Sequence, residues 1–135
     1  MTRRTLAHVG SFLALALTGL HYSSLQAKDR WEYLGEANVD GGMDHDMIRV
    51  GRADGRFRAI QIKVQHGAID FQRVIVHYGN GVDTPVELRY RIPAGGQTRV
   101  IDLPGDRRII TGVEFFYSKG SWGSRRPKVR LFGLR

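Results

Sequence analysis

Residues 69–92 read IDFQRVIVHYGNGVDTPVELRYRI, and this stretch holds two β-strand patterns on either side of a tight turn. Within 69–78 and within 86–92, apolar and polar side chains alternate with the two-residue period of a half-buried strand. Between them, Asn80 and Gly81 supply the positive φ angles that a two-residue hairpin turn requires. The stretch therefore predicts a pair of antiparallel strands.

The strand patterns differ in regularity. Residues 86–92 keep every apolar side chain on one face and every charged side chain on the other, and the apolar set is Val86, Leu88, Tyr90 and Ile92. In 69–78 the apolar face changes after Phe71, which predicts a β-bulge or a strand that crosses a sheet corner. In 109–117 the alternation places Ile109 on the same face as Val113, Phe115 and Tyr117.

Outside this stretch the same pattern continues. Glycine-containing turns such as Asp54-Gly55 and Gly95-Gly96 recur, and the segments between them predict further strands at 31–37, 47–50, 57–64, 98–103, 109–117 and 128–132. No long window after residue 27 has helical spacing, so the strands must pair antiparallel and be covered by a second sheet. The sequence predicts an all-β fold, a single antiparallel β-sandwich of about eight short strands, jelly-roll-like or immunoglobulin-like, with a small closed barrel as the alternative.

Residues 1–27 have the features of a secretory signal peptide. Arg3 and Arg4 precede the apolar stretch Val9–Leu20, and the segment ends at Leu25-Gln26-Ala27 with a small residue. The apolar stretch is too short for a transmembrane helix, which takes about 20 apolar residues. We therefore expect cleavage after Ala27, a β-sandwich domain at 28–135, no transmembrane segment, and a periplasmic or secreted location.

Composition narrows the classes of function. The chain of 135 residues has 21 Lys+Arg, 13 Asp+Glu and a formal charge of +8, which becomes +6 without residues 1–27. It has no cysteine, which excludes disulfides, cysteine-based zinc sites and thiol nucleophiles. A basic surface attracts anionic partners. Because the predicted signal peptide directs the chain out of the cytoplasm, we expect an anionic envelope component or an acidic protein as the partner, and no nucleic acid.

The basic and aromatic side chains predict where such a ligand binds. Arg125 and Arg126 follow Trp122 in a glycine- and serine-rich loop, and Tyr117 ends the strand before it. A second basic pair, Arg89 and Arg91, shares one strand face. Guanidinium groups suit carboxylates and phosphates, and loops between strands commonly carry binding sites. The alternative is that these arginines only keep a sheet face solvated. The function predicted is an exported, non-catalytic binding or envelope-associated module for an anionic glycan, lipid head group or acidic protein.

The loop VDGGMDHD predicts a second kind of site. Asp40, Asp44 and Asp46 crowd around two glycines, and carboxylates with backbone carbonyls suit Ca²⁺. The spacing does not match an EF-hand loop. The alternative is a solvated polar connection in which the aspartates accept hydrogen bonds from the turn. No other cofactor is predicted.

Two alternative functions stay open. One is a hydrolase of envelope polymers, with His66 or His77 paired to Asp70 or Asp102 as acid and base. A serine nucleophile is poorly supported, because Ser118, Ser121 and Ser124 are not in a G-x-S-x-G elbow. The other is a structural or assembly protein that pairs through an exposed edge strand.

Several motifs together resemble a known group of proteins. They are Trp31-x-x-Leu34-Gly35, Asp44-x-Asp46-x-Ile48-x-Val50-Gly51, Tyr78-Gly79-Asn80-Gly81, Gly95-Gly96-x-Thr98-Arg99-x-Ile101-Asp102-Leu103 and Val129-x-Leu131-x-Gly133. In this order they resemble an uncharacterised family of small exported bacterial proteins, classed as a domain of unknown function. The resemblance covers nearly all of residues 28–135. It implies export and an all-β fold, and it implies no catalytic residue.

Overall fold

The computed structural model describes residues 30–39, 44–118 and 125–135, of which Trp31–Arg135 belong to one compact unit. The predicted signal peptide, residues 1–27, lies outside the described residues. Within the described part of the chain no helix is long and apolar enough to cross a membrane. The only helical segment described there is a short 3-10 turn at Arg52–Asp54, and the strands are β1 (Trp31–Asn38), β2 (His45–Arg49), β3 (Arg56–Phe57), β4 (Ala59–Gln65), β5 (Ile69–Tyr78), β6 (Asp83–Val86), β7 (Arg91–Ile92), β8 (Ile101–Asp102), β9 (Arg108–Tyr117) and β10 (Lys128–Leu134).

The strands form two antiparallel sheets. The four-stranded sheet has the order β1-β10-β4-β8, and the six-stranded sheet has the order β2-β9-β5-β6. In the second sheet β3 continues the edge that β2 forms on β9, and β7 continues the edge that β6 forms on β5. If β2 with β3 and β6 with β7 each count as one strand, the fold has eight strands among the described residues. Numbered along the chain, they have the order 1-8-3-6 in the four-stranded sheet and 2-7-4-5 in the other, which is the strand order of a jelly roll. The predicted β-sandwich is confirmed, and the jelly-roll alternative is the one observed.

One apolar core lies between the sheets. It is a single cluster of buried side chains contributed by strands of both sheets, and its largest fully buried members include Phe57, Phe71, Phe115, Ile60, Ile62 and Leu131. Burying one such side chain contributes about 1.5–3 kcal/mol to folding. Because the chain has no disulfide to contribute, this core is the main source of stability.

Two β-bulges decide which residues of the central strands β5 and β9 reach this core. Phe71 pairs with Tyr117 and Arg73 pairs with Phe116, so Gln72 is the extra residue of β5. The predicted change of apolar face in 69–78 is therefore confirmed as a bulge. A second register shift falls at Thr111 of β9. As a result Ile110 is fully buried, and the prediction that Ile109 shares the buried face is wrong.

The prediction of one uninterrupted strand at 86–92 is also wrong. Val86 pairs with Val74 and Arg91 pairs with Asp70, so four edge residues lie opposite three residues of β5. The extra residue interrupts the ladder, as bulges at sheet edges do. Leu88 remains buried, whereas Tyr90 is 42% exposed.

Candidate functional site

The outer face of the four-stranded sheet carries aromatic and basic side chains in two cross-strand rows. In one row Tyr33 of β1 lies opposite Phe132 of β10, which lies opposite Gln61 of β4. Because side chains alternate along a strand, the next row on this face comes two positions away, where Arg130 lies opposite Lys63. We call this surface the aromatic–basic face, and its members are Trp31, Tyr33, Gln61, Lys63, Gln97, Arg130 and Phe132.

The rings and cations of the aromatic–basic face contact one another directly. The Tyr33 and Phe132 rings meet edge to face with their centroids 5.7 Å apart. Lys63 Nζ lies 4.7 Å from the centroid of the Phe132 ring, and Arg130 Cζ lies 4.8 Å from that of Tyr33. Even so, Trp31 is 36% exposed and Tyr33 is 48% exposed, so aromatic surface is available to a ligand.

Part of this face is concave. A pocket of about 350 Å³ is lined by Trp31, Gln61, Lys63, Gln97 and Phe132. Gln61 Nε2 donates a hydrogen bond of 2.8 Å to the Thr98 carbonyl, which holds the amide in place. No carboxylate lies within ion-pair distance of Lys63 among the described residues. The pocket therefore combines aromatic rings, two amides and one ammonium group without a neutralising acid.

Tyr33 is held at the edge of this face by a carboxylate. Its hydroxyl donates a hydrogen bond of 2.7 Å to Glu36, and Lys128 Nζ lies 3.2 Å from the same carboxylate. The hydrogen bond from Tyr33 and the nearby Lys128 lower the pKa of Glu36, and the carboxylate in turn raises the pKa of Tyr33. The ionised Glu36 therefore orients the Tyr33 ring.

Two of the ligand-binding residues predicted from the sequence come together on the other sheet. Tyr117 and Arg89 line a pocket of about 420 Å³ with Asp44, Gln72, Arg73 and Phe116. The Tyr117 hydroxyl donates a hydrogen bond of 2.7 Å to Asp46. Arg73 Cζ lies 4.5 Å from the centroid of the Phe116 ring, on which His45 stacks at 5.0 Å.

The other predicted ligand-binding residues are placed separately. Arg91 forms an ion pair of 3.1 Å with Asp70. Arg125 donates a hydrogen bond of 3.0 Å to His66, and Arg126 is exposed. Trp122 lies outside the described residues, so the predicted loop site stays a prediction.

The predicted calcium loop is described only in part. Asp40 lies outside the described residues, while Asp44 Oδ1 is 3.0 Å from His45 Nδ1 and Asp46 accepts the hydrogen bond from Tyr117. Across residues 30–39, 44–118 and 125–135, no three His, Cys, Asp or Glu side chains are arranged to hold a metal ion.

A row of histidines and carboxylates crosses β2, β9 and β5, and sequence reasoning missed it. Glu114 lies between two imidazoles, with its Oε2 atom 3.7 Å from His45 Nε2 and its Oε1 atom 3.3 Å from His77 Nε2. At the outer ends, His45 contacts Asp44, and His77 Nδ1 lies 2.7 Å from Asp83. The hydrogen bond to Asp44 is the main reason that the pKa of His45 is raised.

This row bears on the hydrolase alternative. The sequence paired His77 with Asp70 or Asp102, whereas the structure pairs it with Asp83 and Glu114. His66 contacts Arg125 and Asp70 contacts Arg91. The acid–base pairs that the alternative named are therefore absent from the described residues. Only the register of β2, β5 and β9 brings the observed row together, and no local motif indicates it.

Comparison with known proteins assigns the family. The domain of unknown function DUF2541 matches residues 11–133. The chain belongs to this family. That membership confirms the resemblance to an uncharacterised family. No curated protein matches the sequence.

One solved structure supports the fold of this DUF2541 member. It comes from the structural and functional characterization of Pseudomonas aeruginosa AlgX. The two chains align with a TM-score of 0.53 at 11% identity, over 78% of this chain and 27% of AlgX. The chain therefore spans about a quarter of the length of AlgX. At this identity the likeness concerns the fold alone.

Proposed function

We propose that this DUF2541 domain is a non-catalytic binding module for an anionic polysaccharide, and that the aromatic–basic face is its binding surface. The observation that carries the proposal is the pocket in which Trp31 lies beside Lys63 and two glutamine amides. The signal peptide predicted from the sequence supports the proposal, because a periplasmic or secreted protein meets anionic envelope polysaccharides.

The chemistry of the face fits a charged sugar chain. Exposed Trp31 and Tyr33 offer flat, amphipathic rings against which the apolar face of a pyranose ring packs. Gln61 and Gln97 each offer an amide donor and an amide acceptor, the complement of sugar hydroxyls. Lys63, which has no carboxylate partner among the described residues, supplies a charge-assisted hydrogen bond to a uronate or phosphate group. The extended sheet surface suits a polymer better than a small molecule.

The edges of the sheets argue for this function over assembly through an edge strand. β6 contains Pro85, β8 has two residues, and β1 shifts register between Tyr33 and Gly35. The fourth edge is interrupted between β2 and β3 by the 3-10 turn at Arg52–Asp54. Short, bulged or proline-containing edges resist pairing with another strand. The aromatic–basic face lies on the outer surface of its sheet and not along a strand edge, so pairing through an edge strand would not use it.

Affinity electrophoresis tests the proposal. The purified protein should be retarded in gels that contain polygalacturonate and not in gels that contain neutral dextran, and added salt should weaken the retardation. Trp31→Ala and Lys63→Gln should each weaken binding about tenfold, equivalent to about 1.4 kcal/mol. Matched controls are Tyr90→Ala, an exposed aromatic in the connection between β6 and β7, and Arg107→Gln, an exposed cation; both should bind as wild type does.

Three results would contradict the proposal. The first is no retardation by any anionic polysaccharide at low salt. The second is equal weakening by Trp31→Ala and Tyr90→Ala, which would remove the aromatic–basic face from the interaction. The third is binding to vesicles of anionic phospholipid or to an acidic protein without binding to polysaccharide, which would assign a different class of partner.

A further inference from the structure

A third pocket lies at one end of the six-stranded sheet, away from the aromatic–basic face. It has a volume of about 260 Å³, and three of its lining residues are arginines, Arg52, Arg56 and Arg108. Tyr78 and Asn80 line it as well, and no carboxylate does. We propose that this pocket binds a tetrahedral oxyanion, a phosphate or sulfate group, and the proposal is independent of the polysaccharide function.

The fold brings the three arginines together from separate parts of the chain. Arg56 lies on β3, directly opposite Ile109 of β9, and Arg108 is the first residue of β9. Arg52 belongs to the 3-10 turn before β3, and its Nη2 atom donates a hydrogen bond of 2.9 Å to the Gly79 carbonyl. That carbonyl belongs to the turn between β5 and β6. The pocket therefore lies where β3 and the turn between β5 and β6 meet the start of β9.

The positive charge in this pocket is not neutralised by the protein. Arg108 Nη1 donates to the Pro104 carbonyl, so Arg108 and Arg52 both donate to neutral backbone acceptors. No acid lies within ion-pair distance of the three pocket arginines in the described part of the chain. Elsewhere the protein pairs its arginines differently, since Arg135 contacts Glu32 and Arg91 contacts Asp70. Three unneutralised guanidiniums around one pocket repel one another, and a bound anion removes that repulsion.

Tyr78 provides a second, independent observation. Its side chain is 3% exposed, and its Oη atom is buried without a hydrogen-bond partner among the described residues. Folded proteins leave few buried polar atoms in this state, and each one calls for an explanation. Arg108 Cζ lies 3.9 Å from the centroid of the Tyr78 ring, which holds that guanidinium over the tyrosine. We infer that a bound ligand brings an oxygen to this hydroxyl and gives it the acceptor that it lacks.

The donor set indicates the class of ligand. A guanidinium is a planar fork that donates two parallel hydrogen bonds to a carboxylate or a phosphate. One carboxylate has two oxygens for such forks, whereas a phosphate or sulfate presents three or four oxygens around a tetrahedral centre. Three arginines from separate elements around one pocket therefore fit a tetrahedral oxyanion better than a single carboxylate. The pocket volume leaves room for the group to which a phosphate is esterified.

Calorimetric titration of the full chain with inorganic phosphate tests the site. Sulfate should compete with phosphate, whereas acetate and chloride at matched ionic strength should not. Arg56→Gln should weaken phosphate binding at least about fivefold, because it removes one fork from an exposed position. The matched control Arg107→Gln changes the charge equally beside the pocket, and it should leave the affinity unchanged. Titration with a sugar phosphate and with phosphatidylglycerol vesicles then shows which phosphate source binds most tightly.

Tyr78→Phe separates a ligand role from a structural role. If the Tyr78 hydroxyl binds the ligand, removing it should weaken phosphate binding, while the thermal unfolding midpoint of the free protein stays the same or rises. A lower midpoint with unchanged phosphate affinity would show that the hydroxyl is structural. The proposal is overturned if phosphate binds wild type and Arg56→Gln equally, if acetate binds as tightly as phosphate, or if phosphate does not bind.

Discussion

Arg135, which directly follows β10, donates two hydrogen bonds to Glu32 of β1. Its Nε atom donates to Oε1 at 2.8 Å and its Nη2 atom donates to Oε2 at 2.6 Å. The same guanidinium donates to the Asp54 carbonyl and lies over the Phe57 ring, with 4.7 Å between Cζ and the ring centroid. The hydrogen bonds to the Glu32 carboxylate raise the pKa of Arg135 above its ordinary value. One side chain thus ties β1 to the 3-10 turn before β3.

We expect Glu32→Gln to lower the free energy of unfolding by about 1 kcal/mol, because the ion pair is bidentate and only partly exposed. Urea denaturation measures this difference, and raised salt should reduce it. Glu87→Gln is the matched control, since Glu87 is exposed in the connection between β6 and β7. Equal stability of the two variants would contradict the structural role assigned to the pair.

The contact between Tyr33 and Glu36 has a measurable acid dependence. Because Tyr33 and Lys128 lower the pKa of Glu36, its ionised form stabilises the fold at pH values above the ordinary carboxyl pKa. That stabilisation is lost as pH falls through the lowered pKa. We expect Tyr33→Phe to raise the pKa of Glu36, measured by NMR of its side-chain carboxyl carbon. Tyr90→Phe should leave it unchanged, and an unchanged value in Tyr33→Phe would refute the contact.

His45 has the opposite pH dependence. Its pKa is raised by the hydrogen bond to Asp44 and, to a lesser extent, by the charges of Glu114 and Asp46. Its stabilising contribution is therefore complete below the ordinary imidazole pKa, and it is lost as pH rises through the raised value. We expect Asp44→Asn to lower the pKa of His45 in an NMR titration. Asp102→Asn, on the other sheet, is the control. A His45 pKa at or below the ordinary value in wild type would contradict this account.

Gly133 allows β10 to pack closely against the core. A Cβ atom added there would lie 2.7 Å from Phe57 Cδ1 and 2.8 Å from Leu34 Cδ1, and both side chains are buried. Gly133→Ala should therefore lower the free energy of unfolding by about 1–3 kcal/mol. Gly51→Ala is the control, because its nearest neighbour would lie at 3.7 Å and the residue is exposed. Equal denaturation midpoints for the two variants would show that the strand shifts to accept the methyl group.

Local alternation predicts the fold wherever a strand follows it without interruption. It predicts the buried Val129 and Leu131 of β10, and the change of face after Phe71 predicts the bulge in β5. It fails at 87–90, because the bulge there depends on how the edge aligns with β5, which local sequence does not encode. The extra residue Thr111 and the buried Ile110 have the same origin.

The candidate sites are less predictable from the sequence than the fold. Lys63, Phe132 and Trp31 come from three strands that are adjacent only because β10 lies between β1 and β4. Each has an ordinary local context, so composition singles out none of them. One sequence signal could have indicated the aromatic–basic face. In β4 the polar residues Gln61 and Lys63 alternate with buried isoleucine and valine, so they share the outer side of the sheet. Arg89 and Tyr117, which the sequence predicts as ligand-binding from their side-chain chemistry, instead line the pocket on the other sheet.

The central position of β10 has a consequence for how the protein is made. β10 pairs with β1 on one side and β4 on the other, although both partners lie far before it in the chain. The four-stranded sheet therefore cannot close until residues 128–134 have left the ribosome. Long-range pairing of this kind folds slowly. β1 and β4 therefore have no shared partner until β10 is available, and completion of the four-stranded sheet is a late step of folding.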